Sequence, residues 1–230
     1  MANRPIFIAG GLSGVLYEEI SLQFKWHSGF APSQKRKSMH ELHDAAREIG
    51  LEKILEVSTK SEHELGQRLS AFRLDVSLSG ITSKIECIYQ GSKTFEKGGP
   101  FPELTKVRPI EAKRFFKDKN LGNITHFEFE NKRYENLPFH AFYDWLFLRA
   151  LSDKENVEYL SKNLPKIDGF SDIEFNPSRS INTQARSMAI IKTLIARDEI
   201  HDCANDFDYF RDHLSVIEKK TSPQIRLNIA

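Results

Sequence analysis

Cysteine is scarce in this chain of 230 residues, and long apolar runs do not occur. The two cysteines, Cys87 and Cys203, are too few for a disulfide framework and have no C-x-x-C spacing. This agrees with a reducing compartment and argues against structural zinc. No apolar run reaches the roughly 18 residues of a transmembrane helix, and the first residues do not resemble a signal peptide. We therefore expect a cytoplasmic protein without a membrane partner.

The chain also lacks an excess of charge of either sign. It has 33 basic and 32 acidic residues, a net charge of +1. A uniformly basic surface is therefore excluded, and nucleic acid could be contacted only through local patches. Two candidates are Lys35-Arg36-Lys37 and a second cluster of basic residues: Arg108, Lys113, Arg114, Lys117 and Lys119. Such clusters are most often solvated faces, so both interpretations stay open at this point.

Patterns for a metal or a bound cofactor are incomplete. The glycines between Gly10 and Gly14 have neither the G-x-G-x-x-G nor the G-x-S-x-G spacing and predict a turn. His40 and His43 share a helical face but lack the H-E-x-x-H spacing and a third ligand. We predict no metal site and no cofactor.

The composition favours a single α+β domain, mostly helical, with short antiparallel strands. With 40% hydrophobic and 28% charged residues, the chain can bury a core, and no linker, repeat or regular β-α alternation interrupts it. We expect one domain over residues 1–230, of which 1–34 form an N-terminal strand extension. The patterns predict strands at 6–9, 16–26, 126–130, 133–135 and 172–175, and helices at 39–49, 62–70, 83 to about 97, 110–117, 139–151, 183–197 and 204–217.

The third of these helices has the most informative pattern. Ser83 and Glu86 have the spacing of a capping box, which predicts a helix start. Glu86, Gln90 and Lys93 would then lie along one face of the helix, among apolar neighbours that alter their proton affinities. An acid, an amide and an amine in line could carry out proton transfer or covalent chemistry. The structural alternative is that Glu86 only caps the helix and Lys93 only complements its dipole.

Several motifs together resemble one protein family. Glu86, Gln90 and Lys93 match the E-x-x-x-Q-x-x-K pattern of NADAR domains, the YbiA-like N-glycosidases, and the string 69–72 falls at that family's F-S-N-F motif. Further strings resemble the NADAR branch that is encoded beside DarT-type DNA ADP-ribosyltransferase toxins: 56–60, 98–101, 142–146, 175–177 and 180–182. The resemblance covers roughly residues 35 to 200.

This resemblance implies a YbiA-like fold and an ADP-ribosyl glycohydrolase. The enzyme would remove ADP-ribose from guanine bases in single-stranded DNA and so act as the antitoxin of a cognate DarT-type toxin. Its partners would be ADP-ribosylated DNA, ADP-ribose and, functionally, the toxin. Two alternatives remain: an N-glycosidase that acts on a small phosphorylated ribosylamine, and a module that binds ADP-ribose without catalysis.

The resemblance also implies residue roles. Glu86 would stabilise the positive charge that develops on the ribose, and Lys93 would either attack C1 and form a Schiff base or pair with a phosphate. Gln90 would orient the ribose hydroxyls. Tyr89 and Trp145 could stack on a base, and Asp144 could accept a hydrogen bond from its exocyclic amine. Asn182, Gln184 and Arg186 could donate to a diphosphate or to a guanine edge. The other substrate-binding candidates lie in the family's motif strings: Ser70, Phe72 and Gly99.

Three points limit this transfer of roles. Trp145 lies in an apolar helical pattern that equally fits the protein core. Glu56 and Lys60 could contact a ligand or only fold their loop. YbiA-like members have an acid and a tryptophan near the C-terminal strand, whereas this chain has neither between residues 179 and 186, so no carboxylate role is assigned there.

Overall fold

The computed structural model describes residues 1–29 and 31–221, with side chains as far as Leu214. The strands are β1 (Ala2–Ala9), β2 (Tyr17–Phe24), β3 (Ile54–Glu56), β4 (Asp75–Leu78), β5 (Ile81–Lys84), β6 (Lys93–Phe95), β7 (Ile124–Phe129), β8 (Lys132–Glu135) and β9 (Gly169–Ser171). The helices are α1 (Pro32–Glu48), α2 (Glu64–Arg68), α3 (Ile85–Gly91), α4 (Pro109–Arg114), α5 (Ala141–Leu151), α6 (Lys154–Asn163), α7 (Gln184–Ala196), α8 (Ile200–Asn205) and α9 (Phe207–Thr221). This mixed fold, rich in helix with short strands, confirms the predicted fold class.

Three small sheets hold the strands. The largest has the order β2-β1-β9-β3, in which β3 and β9 run parallel and the other pairs are antiparallel. The predicted N-terminal extension thus supplies two of its four strands. The pair β4-β5 forms a hairpin, and β6-β7-β8 form an antiparallel sheet.

Helices α5 and α7 form the centre of the main core. Nearly every side chain of both helices is buried, including Phe142, Phe147, Met188 and Ile191. A helix that is apolar around its whole circumference can be stable in water only when other elements cover it on all sides. Helix α7 packs against β1 and β9 of the four-stranded sheet, and α5 packs against β4 and α3.

Several predicted elements differ from the structure. The predicted strand 172–175 is a turn, because the paired segment ends at Ser171. The predicted helix 204–217 is divided at Asp206 into α8 and α9. Strands β3 to β6 and helix α6 were not predicted. Among the described residues, none of the helices combines the length and the apolar character needed to cross a membrane.

Candidate active site

The helix that carries the E-x-x-x-Q pattern is shorter than predicted. Ser83 lies in strand β5, where it pairs with Val76, and its hydroxyl donates to the Thr105 carbonyl at 2.6 Å. Helix α3 follows Lys84, whose side chain makes no capping hydrogen bond. The predicted capping box is therefore wrong: the left-handed turn at Ser79 and Gly80 (φ 50° and 81°) closes a hairpin, and the hairpin uses Ser83 in its ladder.

Glu86 and Gln90 contact each other, as their spacing of one helical turn predicts. Both side chains are buried in α3, and the Gln90 amide nitrogen donates to the Glu86 carboxylate at 2.9 Å. The backbone N–H of Glu86 donates to the Ala71 carbonyl at 3.1 Å, which fixes the start of the helix. The Gln90 side-chain oxygen is buried and has no hydrogen-bond partner in the described part of the chain. An unpaired buried acceptor of this kind is unusual in folded proteins and makes Gln90 a candidate for a functional role.

Lys93 lies in β6, two residues after α3 ends, and not on the helix as predicted. Its ammonium lies 4.7 Å from the ring centroid of Tyr89 and 5.3 Å from that of Phe116. Burial lowers the pKa of Lys93 to about 8; the negative charge of Glu86 opposes this shift and the positive charge of Lys113 adds to it. Among the described residues, no carboxylate forms an ion pair with Lys93 within 4.0 Å. Lys93 therefore loses its proton at a lower pH than an ordinary lysine and lies within electrostatic range of Glu86.

Tyr89, which lies under the Lys93 ammonium, forms one wall of a cavity together with Asn182; Glu86, Gln90 and Lys93 are not among the residues that line it. The Asn182 amide donates to the Tyr89 hydroxyl at 2.5 Å, while its side-chain oxygen is buried and has no partner in the described chain. The cavity has a volume of about 360 Å³ and is lined by aromatic residues, including Phe127 and Phe139, and by the loop 177–182. Aromatic walls with a few polar groups suit a purine base. A larger cavity of about 540 Å³ lies elsewhere, between α1 and β3.

Asp144 and Arg186 form a buried ion pair with each other and do not face the cavity as free groups. The Asp144 carboxylate accepts from Arg186 Nε at 3.0 Å and from the Ser187 hydroxyl at 2.5 Å, and it lies 2.8 Å from His140 Nδ1. Burial by itself would raise the pKa of Asp144, but the neighbouring Arg186 and the hydrogen bonds outweigh it and lower the pKa. Arg186 also donates to the Ile181 carbonyl at 2.8 Å and thereby holds the cavity loop.

Trp145 lies in the core. Its ring packs against Tyr134, Phe142 and Phe207 at centroid distances of 5.3, 6.2 and 5.5 Å, and only 3% of the residue is exposed. The prediction that it stacks on a base is therefore wrong, and the core alternative is correct. Large aromatic side chains in an apolar helix usually have this role.

Ser70, Phe72 and Gln184 belong to a tightly bonded connection between α7 and the start of α3. The Gln184 side chain accepts from the Ala71 N–H at 2.6 Å and donates to Asp172 at 3.3 Å. The buried Ser70 hydroxyl accepts from the Phe72 N–H at 3.3 Å. Because the Ala71 carbonyl accepts from Glu86, these bonds position the Glu86 backbone. Phe72 itself is half-buried.

Gly99 allows a close backbone approach. Its φ is +107°, and a Cβ atom at this position would lie 2.3 Å from the Lys93 carbonyl oxygen. Glycine fits here because it has no Cβ: it adopts a positive φ without strain and leaves room for the Lys93 carbonyl. The structure thus gives Gly99 a role in positioning the strand that carries Lys93.

Glu56 and Asp172 are two further buried carboxylates; the sequence left the role of Glu56 open and did not single out Asp172. Burial raises the pKa of Asp172, which follows β9, and raises that of Glu56 to about 7, with the charge of Asp172 adding to the second shift. Glu56 accepts from the hydroxyls of Ser58 and Ser171 at 2.6 and 2.7 Å. The Glu56 carboxylate therefore stabilises its own loop through hydrogen bonds. In the same loop, the backbone N–H of Lys60 donates to the Ser58 hydroxyl. No local sequence pattern singles out Asp172, and the strand predicted at 172–175 placed it in the wrong element.

The family model of DarT1-associated NADAR antitoxins matches residues 2–224, almost the whole chain. No curated protein matches the sequence. The family match confirms the resemblance inferred from the motifs and extends it to both ends of the described chain. The chain therefore belongs to the family of DarT1-associated NADAR antitoxins.

Proposed function

We propose that this antitoxin is an N-glycosidase that removes ADP-ribose from guanine bases in DNA and so reverses the modification made by a DNA ADP-ribosyltransferase toxin. Family membership supports the antitoxin role. The observation that carries the enzymatic part is the proximity of a buried carboxylate, a buried amide and an amine with a pKa of about 8. Structural residues seldom need such a combination, whereas glycosidic-bond cleavage uses each of its members.

Glu86 supplies the negative charge. When the bond between C1 of the ribose and the base nitrogen breaks, positive charge develops on the ribose ring, and a carboxylate held in a site of low polarity stabilises it strongly. Gln90 holds one carboxylate oxygen through its amide N–H. Its own free oxygen then accepts a hydrogen bond from a ribose hydroxyl.

Lys93 supplies the nucleophile. Its neutral amine attacks C1, the C1–N bond to guanine breaks, and the departing base takes up a proton. Opening of the ribose ring leaves an imine between C1 and Lys93, and water hydrolyses this imine to ADP-ribose and the free amine. The lowered pKa supports this role, because a lysine with its ordinary pKa would hold its proton at neutral pH.

The cavity beside Tyr89 accommodates a base of the substrate. Phe127, Phe139 and Tyr89 offer apolar contact, and the free side-chain oxygen of Asn182 can accept from an exocyclic amine. The Asn182 oxygen thus takes the role predicted for Asp144, which was to accept a hydrogen bond from the amine of the base. The Asp144 carboxylate instead accepts from Arg186.

A single-turnover assay tests the proposal. The purified protein is mixed with a single-stranded oligonucleotide that carries one ADP-ribosylated guanine, and released ADP-ribose is measured by chromatography. We expect release by the wild type and a loss of at least about a hundredfold in the Glu86→Gln and Lys93→Ala variants. Exposed neighbours provide matched controls, and Glu103→Gln and Lys97→Ala should retain full activity.

The possible failures have different meanings. If the wild type releases no ADP-ribose, the proposal is wrong, and tight binding of free ADP-ribose would then favour a non-catalytic module. Release only from a free phosphorylated ribosylamine would favour a metabolite hydrolase. Full activity in the Glu86→Gln variant would contradict the assignment of the carboxylate.

A further inference from the structure

The segment 106–119 is the most strongly charged stretch near the candidate site. It contains six basic residues, which we call the α4 surface: Lys106, Arg108, Lys113, Arg114, Lys117 and Lys119. With only Glu111 and Asp118 among them, the segment has a net charge of +4, whereas the whole chain has +1. The rest of the chain is therefore net negative, and the attraction of a polyanion is concentrated here.

The α4 surface lies next to the candidate active site. Helix α4 packs on α3, which carries Glu86. The positive charge of Lys113 adds to the lowering of the pKa of Lys93 and opposes the raising of the pKa of Asp172, so its ammonium is within electrostatic range of both groups. The same ammonium lies 5.4 Å from the ring centroid of Phe72. The basic surface thus reaches the edge of the site where the glycosidic bond would be cleaved.

The cations of this surface are available to a ligand. All six residues are exposed. Within residues 1–29 and 31–221, Arg108 is the one member that forms an ion pair, with Glu111 at 2.5 Å. The other five therefore hold their charge in solvent, where phosphate groups can replace bound water and counterions.

Aromatic side chains alternate with these cations. The half-buried Phe115 lies under the ammonium of Lys119 at 4.3 Å, and the half-buried Phe72 lies under that of Lys113. Cations beside accessible rings are typical of surfaces that bind single strands, because phosphates contact the cations and unpaired bases stack on the rings. A duplex would keep its bases away from these rings. A buried Glu86 can also act only on a base that has left the helix stack.

We propose that the α4 surface binds the phosphates of single-stranded DNA beside the modified nucleotide and so leads that nucleotide to Glu86 and Lys93. This inference rests on the proposed function and specifies where its polymeric substrate lies. The other basic cluster is less suited to this role, because Lys35 already pairs with Glu174 at 3.7 Å and lies 4.9 Å from the Trp26 ring centroid. That cluster provides a matched control.

Salt-dependent binding tests the proposal. Fluorescence anisotropy of a labelled, unmodified single-stranded oligonucleotide gives the slope of log affinity against log salt concentration. Each phosphate contact on a single strand contributes about 0.7 to this slope, so the double variant R114Q/K117Q should lower it by about 1.4. The double variant R36Q/K37Q removes the same charge from exposed positions and should leave the slope unchanged.

Three results of the binding measurement would overturn the proposal: equal slopes in R114Q/K117Q and the wild type, an equal loss in R36Q/K37Q, or tighter binding to duplex than to single strands. A loss of binding to an acidic toxin protein, with DNA binding unchanged, would assign the surface to that protein instead. Circular dichroism verifies that both double variants fold.

ADP-ribose release separates this proposal from the function on which it rests. If the wild type cleaves modified oligonucleotides and R114Q/K117Q raises the KM several-fold more for a long strand than for a trinucleotide, the surface is assigned correctly. If the wild type cleaves but the KM of R114Q/K117Q does not depend on strand length in this way, the surface assignment fails while the function stands. If the wild type does not cleave, the proposed function fails, and anisotropy alone then decides whether the surface binds DNA.

Discussion

The protonation of Lys93 gives a quantitative prediction for the pH dependence of catalysis. Burial lowers the pKa of Lys93 from 10.5 to about 8. Its neutral fraction is then about one hundredth at pH 6, one tenth at pH 7 and one half at pH 8. If the neutral amine is the nucleophile, kcat/KM should rise about 50-fold between pH 6 and pH 8 and level off above about pH 9. A lysine with an ordinary pKa would show no such plateau below about pH 10.

Lys113 offers a way to move this profile. Its positive charge contributes to the lowered pKa of Lys93, so removing it with Lys113→Gln should raise that pKa and shift the midpoint of the profile to higher pH. Lys117→Gln removes a charge from the same surface that does not contribute to the lowered pKa of Lys93, so the midpoint of its profile should match that of the wild type. Because the midpoint and not the amplitude is compared, weaker DNA binding in either variant does not affect the test.

The assay is single-turnover release of ADP-ribose between about pH 6 and pH 9.5 at constant ionic strength. A rate that falls as the pH rises through 8 would refute the reasoning, because it would mean that the ammonium and not the amine of Lys93 is the working form. A flat profile would exclude the ionisation of Lys93 from the rate-limiting chemistry.

Two further predictions concern stability. Asp144→Asn leaves the Arg186 guanidinium buried without its counter-charge and should lower the free energy of unfolding by about 3 to 5 kcal/mol. The control variant Glu158→Gln removes only an exposed ion pair and should lower it by less than about 1 kcal/mol. If urea unfolding gives a loss of less than about 1 kcal/mol for Asp144→Asn, the buried ion pair does not stabilise the fold as described. Burial raises the pKa of Glu56 from 4.5 to about 7, so its contribution to stability is complete below pH 4.5 and is lost as the pH rises through 7. Glu56→Gln should therefore become more stable relative to the wild type from pH 5 to pH 8, and an equal difference at both pH values would argue against a raised pKa.

Local patterns predicted those parts of the molecule that depend on neighbours in sequence. The apolar character of α5 and α7, the β7-β8 hairpin, and the contact of Glu86 with Gln90 one helical turn later follow from side-chain spacing alone. The same spacing placed Lys93 on the helix beside them, whereas the structure places it in β6, within electrostatic range of Glu86.

The remaining features depend on contacts between distant segments. The capping-box pattern of Ser83 and Glu86 is the same in a strand as at a helix start, and the pairing of Ser83 with Val76 decides between them. The short strands β3 and β9, 115 residues apart at Glu56 and Ser171, pair in parallel only after the chain has folded. The environment of Asp172 also depends on this pairing, so neither its burial nor its raised pKa could be predicted from local sequence.

The position of Lys93 shows why a correct motif led to an incorrect geometry. The E-x-x-x-Q-x-x-K spacing suggests one helix, but α3 ends at Gly91 and Lys93 begins β6. Gly99 approaches the Lys93 carbonyl so closely that a side chain at position 99 would collide with it. The Lys93 amine therefore projects from a strand, over the rings of Tyr89 and Phe116, and not along the helix face.

Trapping the covalent intermediate tests the central claim most directly. Borohydride, added while the protein turns over an ADP-ribosylated oligonucleotide, reduces an imine to a stable amine, and peptide mass spectrometry then locates the adduct. We predict one ADP-ribosyl adduct on Lys93, absent in the Lys93→Ala variant and present in Lys97→Ala. Release of ADP-ribose without any adduct on Lys93, or trapping on a different residue, would contradict the account.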